Sequence, residues 1–224
     1  MTPRMPANPD RDLPLRERKK LRTHRALVDA ALRLFLERGF DEITLDEVVD
    51  EVEVSKRTFF RYFSSKEDVA TAAETELWDA YVAGFARTPL DGPVLATLRR
   101  ALVSALEGMD AEWERRFIAT RGLIARTPAL RDHSNVCSLR TQERLVEQIE
   151  SKLAVDSRAD VRLRLLGELA VGAWRCGAKN WVRQERHSER KGHGARDTLV
   201  SRVVEAFDAL PSAVVMTPEA AEGD

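Results

Sequence analysis

Apolar residues return every three or four positions along most of this chain, and no segment alternates apolar and polar residues as a half-buried strand would. The pattern predicts helices almost throughout. Leu27, Val28, Ala31, Leu34 and Phe35 form the inner face of a first helix, from near Leu15 to Arg38, which Gly39 ends with Phe40 packing back on it. Thr44 and Glu47 have the spacing of a capping box, so a second, short helix starts there and runs to about Glu51, with Asp46 and Glu47 at the positive end of its dipole. Val52-Glu53-Val54 reads as a turn, and Ser55 caps a third helix from Lys56 to Phe63. On a helical wheel Phe59 and Phe63 share one face of that helix, while Arg57, Thr58 and Arg61 share the other.

Six further helices follow. Ser64 or Ser65 caps the fourth, from about Lys66 to Arg87, with Leu77, Tyr81 and Phe85 at steps of four. Gly92-Pro93 opens the fifth, which closes at Gly108, and Asp110 caps a sixth bearing Trp113 and Phe117. Thr127-Pro128 opens the seventh, through about Ala154, and Ser157 caps the eighth, to about Arg186. The segment HSERKGHGAR is a polar loop; Leu199, Val200, Val203, Val204, Phe207 and Leu210 then mark a ninth helix stopped by Pro211. The fold class expected is all-α with about nine helices. Residues 1–14 read as a disordered lead-in, 15–66 as a three-helix helix-turn-helix domain, 67–211 as a larger helical ligand-binding and dimerisation domain, and 212–224 as a flexible tail.

Charge sharpens the reading of the first third. Arg16, Arg18, Lys19, Lys20, Arg22 and Arg25 crowd the start of the first helix with only Glu17 among them, and the acids gather between Asp41 and Glu53. A helix-turn-helix lays its second helix in the major groove, and its flanking bases on phosphates, where counterion release rewards each contact. The whole chain has a net charge of −1, so any affinity for nucleic acid must come from such a patch.

The rest of the composition narrows the classes. No run is long and apolar enough to span a membrane, and the proline-bearing start lacks the apolar core of a signal peptide, so a cytoplasmic protein is expected. Cys137 and Cys176 are isolated, which fits a reducing compartment. His24, His133, His187 and His193 form no HExxH, and there is no GxSxG elbow, no phosphate loop and no Cys/His metal constellation. Neither a cofactor nor a catalytic residue is expected. Two other classes stay open: a helical adaptor that offers Arg57 and Arg61 to an acidic protein partner, and an enzyme.

From ALVDAALRLFLERGF through ITLDEVVDEVEVS to the run Ser55-Lys56-Arg57-Thr58-Phe59-Phe60-Arg61-Tyr62-Phe63 and Ser65-Lys66-Glu67, the chain resembles the TetR family of bacterial transcriptional regulators. It departs from the usual pattern at Glu53, where the family has glycine, and at Phe60, where it has tyrosine. The resemblance implies a homodimeric DNA-binding regulator, most simply a repressor, on a palindromic double-stranded operator and controlled by a small molecule. Arg57 and Arg61 would read bases. Lys19, Lys20, Arg22 and Lys66, with the Tyr62 hydroxyl, would hold the backbone, and Thr44, Ser55, Lys56, Thr58 and Phe60 complete the expected surface. The fourth helix would couple the two regions.

The resemblance further implies a dimer through the last two long helices. Leu169, Trp174, Trp181, Val200, Val203 and Phe207 supply the bulky and apolar positions for it. It also implies a cavity, for which Tyr81, Phe85, Met109, Trp113, Phe117, Cys137 and Trp174 are the candidate lining, though an aromatic at helical spacing is more often ordinary core than a ligand contact. Arg121, Arg126 and Arg140 either face solvent or meet an acidic ligand. The run RFIATRGLIARTPALR is similar to actinobacterial regulators of the mycofactocin type, which implies a hydrophobic or acyl-type effector.

Overall fold

The computed structural model describes residues 14–187 and 196–217, so the expectations for the lead-in, most of the polar loop and the end of the tail lie outside the described residues. Eleven helices and no strand occur among the described residues. The chain divides into two compact units, one ending at Ala72 and the other beginning at Ala73.

The first unit comprises α1 (Leu15–Arg38), α2 (Leu45–Glu51), α3 (Lys56–Phe59) and α4 (Lys66–Ala70). Leu27, Val28, Ala31 and Phe35 are buried on α1, which packs on α2 and α4. Gly39 ends α1 at φ 96°, a conformation costly for residues with a Cβ, and its N–H reaches the Phe35 carbonyl at 3.0 Å. The Phe35 and Phe40 rings then meet edge to face, 5.0 Å apart.

The third helix is shorter than its sequence predicts. Regular α-helix stops at Phe59, and the chain continues to Phe63 through i→i−3 bonds from Arg61 and Tyr62 plus an i→i−4 bond from Phe63 to Phe59. A run of aromatic residues has lowered helix propensity, and helix ends readily tighten this way. Phe59 and Phe63 nevertheless remain buried, as the predicted face requires.

The expected fourth helix is two. Thr71 (φ −105°, ψ 10°) separates α4 from α5 (Ala72–Arg87), and its hydroxyl donates back to the Glu67 carbonyl at 2.8 Å, a bond that loosens helical geometry. The second unit continues with α6 (Val94–Glu107), α7 (Trp113–Ile124), α8 (Pro128–Leu153), α9 (Arg162–His187), α10 (Arg196–Asp208) and α11 (Leu210–Ala213). Ser157 is not a cap. Its N–H is committed to Glu150 Oε1 at 2.7 Å, and Asp160 Oδ1 accepts from Arg162 N at the true start of α9. Pro211 does not end the last helix but lies in the first turn of α11, where a missing N–H costs nothing.

One apolar core fills this unit, with Leu77, Tyr81 and Phe85 of α5, Trp113 and Phe117 of α7, and Trp174 and Trp181 of α9 all buried. Trp113 stacks on Phe117 at 4.8 Å and donates its indole N–H to the Ala73 carbonyl at 2.8 Å. Arg116, only 2% exposed, pairs through Nη2 with Asp110 at 2.7 Å and Glu76 at 3.2 Å, while its Nε is buried without a partner among the described residues. Burial alone would lower its pKa, but those two carboxylates outweigh it and the net shift is upward. Arg196 fastens the start of α10 by donating to the carbonyls of Met109 and Asp110, each at 2.7 Å, and to Glu114 at 3.0 Å.

Candidate nucleic-acid interface and effector pocket

The caps that build the helix-turn-helix are in place. Thr44 Oγ1 accepts from Glu47 N at 3.3 Å while Glu47 Oε2 accepts from Thr44 N at 2.8 Å, and Arg38 pairs with the same carboxylate at 2.7 Å. These contacts, the backbone N–H first, hold the Glu47 carboxyl down at about 2. The Thr44 hydroxyl also donates to Glu47, so the cap occupies its proton. Ser55 Oγ accepts from Thr58 N at 3.1 Å and starts α3. Between them Glu53 takes φ 54°, the left-handed conformation that glycine would adopt freely.

Ser55, Lys56, Arg57, Phe60 and Arg61 are exposed, and Thr58 and Tyr62 are half-buried. Lys56 pairs with Asp46 at 2.7 Å. Arg57, directly after it on the capped turn, has no hydrogen-bond or ion-pair partner among the described residues. Arg61 is placed differently: its guanidinium carbon lies 5.1 Å from the centre of the Tyr62 ring, with Nη2 3.4 Å from the hydroxyl.

Arg61 and Tyr62 form one wall of a groove of about 770 Å³ whose other wall is Leu15, Arg16, Glu17, Lys19, Lys20 and Thr23 of α1. The groove thus unites four residues expected from sequence, and adds Arg16 and Thr23, which stand one turn from Lys19 and Lys20. Arg22 is exposed on α1 but does not line it. His24, not singled out by sequence, lies 4.8 Å from the Phe63 ring and supports the floor of the helix pair.

Lys66 does not offer a free ammonium. Nζ donates to the carbonyls of Phe40 at 2.6 Å and Ile43 at 2.8 Å and sits 4.1 Å from the Phe40 ring centre. Two of its three N–H donors are committed to the α1–α2 connection, which leaves one for the phosphate contact expected of it.

The second unit holds a pocket of about 460 Å³. Its floor includes Trp78, Phe117, Trp174 and the buried Glu74, which accepts from Arg121 Nη1 at 2.8 Å and Ser134 Oγ at 2.6 Å. Arg131, Arg175 and Lys179 stand exposed at its rim. Of the lining expected from sequence, Phe117 and Trp174 are present. Tyr81, Phe85 and Trp113 are fully buried core instead, Met109 packs against that core, and Cys137 is half-buried outside the lining. Burial pushes the Tyr81 phenol up, and its hydroxyl has no partner among the described residues. Arg126 and Arg140 face solvent. Glu74, Trp78, Ser134 and Ser138 were missed because their common neighbourhood depends on how α5, α7, α8 and α9 assemble.

The expected dimer surface is also redistributed. Trp174, Trp181, Val203 and Phe207 are buried within their own chain, whereas Leu169 and Val200 are half-buried. Large apolar side chains in the helices therefore went to the intrachain core first. Among its apolar and small residues α9 leaves outward Leu165, Leu169 and Gly172, at steps of four and three, with Arg175, Cys176 and Lys179 exposed beyond them at the pocket.

Comparison with known proteins agrees with this architecture. Residues 27–73 match the family described as bacterial regulatory proteins, tetR family. The chain is 32% identical to the HTH-type transcriptional regulator TcmR of Streptomyces glaucescens over 175 residues, covering 75% of this chain and 76% of that protein. It is also 32% identical to the transcriptional regulator AcuR of Cereibacter sphaeroides over 117 residues, 51% of this chain and 53% of that one. The crystal structure of a TetR-family regulator from Syntrophomonas wolfei shares the fold at TM-score 0.56 and 14% identity, covering 86% of this chain and 96% of that one. With a match of that identity and extent to TcmR, and with the capped helix pair in place, the chain belongs to the TetR family of DNA-binding transcriptional regulators.

Proposed function

We propose that this regulator is a homodimeric repressor whose hold on a palindromic operator is released by a small molecule in the pocket of the second unit. The observation that carries the reading is the outward seam of α9. Leu165 is 51% exposed, Leu169 and Gly172 are half-buried, and a Cβ on Gly172 would meet nothing within 4 Å. An apolar and small stripe at heptad-like spacing invites a second helix, and half-buried Val200 and Val204 on α10 can extend it. Two copies give two reading helices, which a palindrome requires.

Within each copy, Arg57 addresses base edges and the groove of Lys19, Lys20, Arg61 and Tyr62 addresses phosphates. Ser55, Lys56, Thr58 and Phe60 flank the same surface. A ligand that binds one arrangement of the dimer better shifts the population toward it. Glu74, in the pocket, lies in the first turn of α5, directly after the end of the first unit, which supports a link between ligand and reading head.

The test pairs light scattering with binding to duplexes from upstream of the gene and to scrambled duplexes. The double variant Leu165→Asp/Leu169→Asp should be a folded monomer, with its helical circular dichroism kept, and should lose preference for the specific duplex. A variant that stays dimeric would place the seam elsewhere.

A further inference from the structure

We infer that the pocket of the second unit takes an organic anion with a flat aromatic body; the inference rests on the effector reading above and names the ligand's chemistry. The wall carries four cations, Arg121, Arg131, Arg175 and Lys179, against one carboxylate, Glu74. Glu74 is already neutralised by Arg121 and hydrogen-bonded by Ser134. Among the described residues Arg175 and Lys179 form no ion pair, and Arg131 reaches only the Ala125 carbonyl, at 3.5 Å. The surplus charge therefore stands at the rim, where an incoming anion meets it.

The floor supplies the other half of the recognition. Trp174 lies between two rings, 5.8 Å from Trp78 at 75° and 5.7 Å from Phe117 at 59°, so the apolar floor is built from aromatic faces and edges. Such rings favour a planar aromatic partner. The Trp78 indole N–H is buried without an acceptor among the described residues, so a ligand oxygen reaching it has no competitor. The volume, about 460 Å³, lies in the range of small-molecule sites. A cationic ligand fits poorly, since it would have to displace Arg121 and Ser134 from Glu74 while passing three rim cations. An anion that reaches Arg121 instead competes with Glu74 and so acts on the start of α5.

The experiment is calorimetric titration of the full chain with 2-naphthoate, 2-naphthamide and 2-naphthylmethylammonium. Naphthoate should bind about tenfold or more tighter than the amide, with the ammonium weakest. The variant Arg175→Gln/Lys179→Gln should remove most of that advantage and leave the amide unchanged, which a merely structural effect would not do. Equal affinities, a reversed order or no binding of naphthoate would overturn the inference. Operator binding measured alongside keeps the two readings apart. Naphthoate that binds without altering DNA affinity would refute effector control but keep the ligand class. Release of DNA by the ammonium alone would do the opposite.

Discussion

Lys66 is tied to Phe40 twice, through its ammonium on the Phe40 carbonyl at 2.6 Å and through the ring centre 4.1 Å away. The ammonium is the clasp that joins the start of α4 to the α1–α2 connection. Lys66→Met should therefore lower stability by about 2 kcal/mol, since two buried-side carbonyls lose a charged donor. Its DNA affinity should keep the same salt slope. Urea denaturation and a salt series of binding measurements check both, and a slope reduced by one with stability intact would return Lys66 to the phosphate contacts.

Glu53 at φ 54° retains a strain that its neighbours do not require it to have a side chain to satisfy. Glu53→Gly should raise stability by roughly 0.5–1 kcal/mol, the left-handed penalty less the extra freedom of glycine in the unfolded chain. A thermal midpoint that stays level or falls would show that the exposed carboxylate contributes more than the strain costs.

The cap at the start of α2 makes a prediction in pH. Glu47 has its carboxyl at about 2 in the folded chain against an ordinary 4.5, so it is a depressed acid. Its contribution is complete above about 4.5 and disappears as pH falls toward 2. The stability gap between wild type and Glu47→Gln should be constant from pH 7 to 5 and narrow steadily below that. A gap that is the same at pH 3 and pH 7 would mean that the ionised form has no special role in the cap.

The close crossing of α9 and α10 is tested at Gly177. A Cβ there would lie 2.8 Å from both the Arg202 carbonyl oxygen and Val203 Cα, and these are backbone atoms that cannot swing aside. Gly177→Ala should cost about 1–3 kcal/mol by forcing the helices apart. Gly122→Ala on α7, where nothing lies within 4 Å, should be neutral or stabilising by up to about 1 kcal/mol. Equal effects at the two sites would show that the crossing is looser than its geometry.

What was legible in the sequence follows from the range of the interactions involved. The capping box of Thr44 and Glu47, the cap of Ser55, the stop at Gly39 and the shared face of Phe59 and Phe63 are set by residues within four positions of one another, and each is found. Periodicity marks a helix face as apolar without saying which neighbour covers it. Val203 and Phe207 were therefore assigned to a partner copy, when α6 and α9 of the same chain cover that side. The pocket was least legible because Glu74, Arg121, Ser134 and Trp174 come from four helices and have no common spacing.

The last prediction separates Arg57 from Arg61, which the sequence pairs and the structure parts. Arg57 stands on the capped turn of α3 without a partner among the described residues, free to fork onto the O6 and N7 of a guanine. Arg61 is held against Tyr62 and lines the groove with Lys19 and Lys20, a setting that suits the sugar-phosphate backbone. Arg57→Ala should then cost roughly 1–3 kcal/mol on the operator, little on a scrambled duplex, and relax preference at one base pair. Arg61→Ala, like Lys19→Ala and Lys20→Ala, should weaken both duplexes alike and reduce the salt slope by about one. Tyr62→Phe should weaken both slightly with the slope unchanged, since it removes a hydroxyl and no charge. Affinities for operator and scrambled duplex across a salt series decide it for each variant. If Arg61→Ala lowers only the operator affinity, it reads a base after all, and if Arg57→Ala lowers both in parallel, α3 serves as a clamp and the specificity lies elsewhere on the unit.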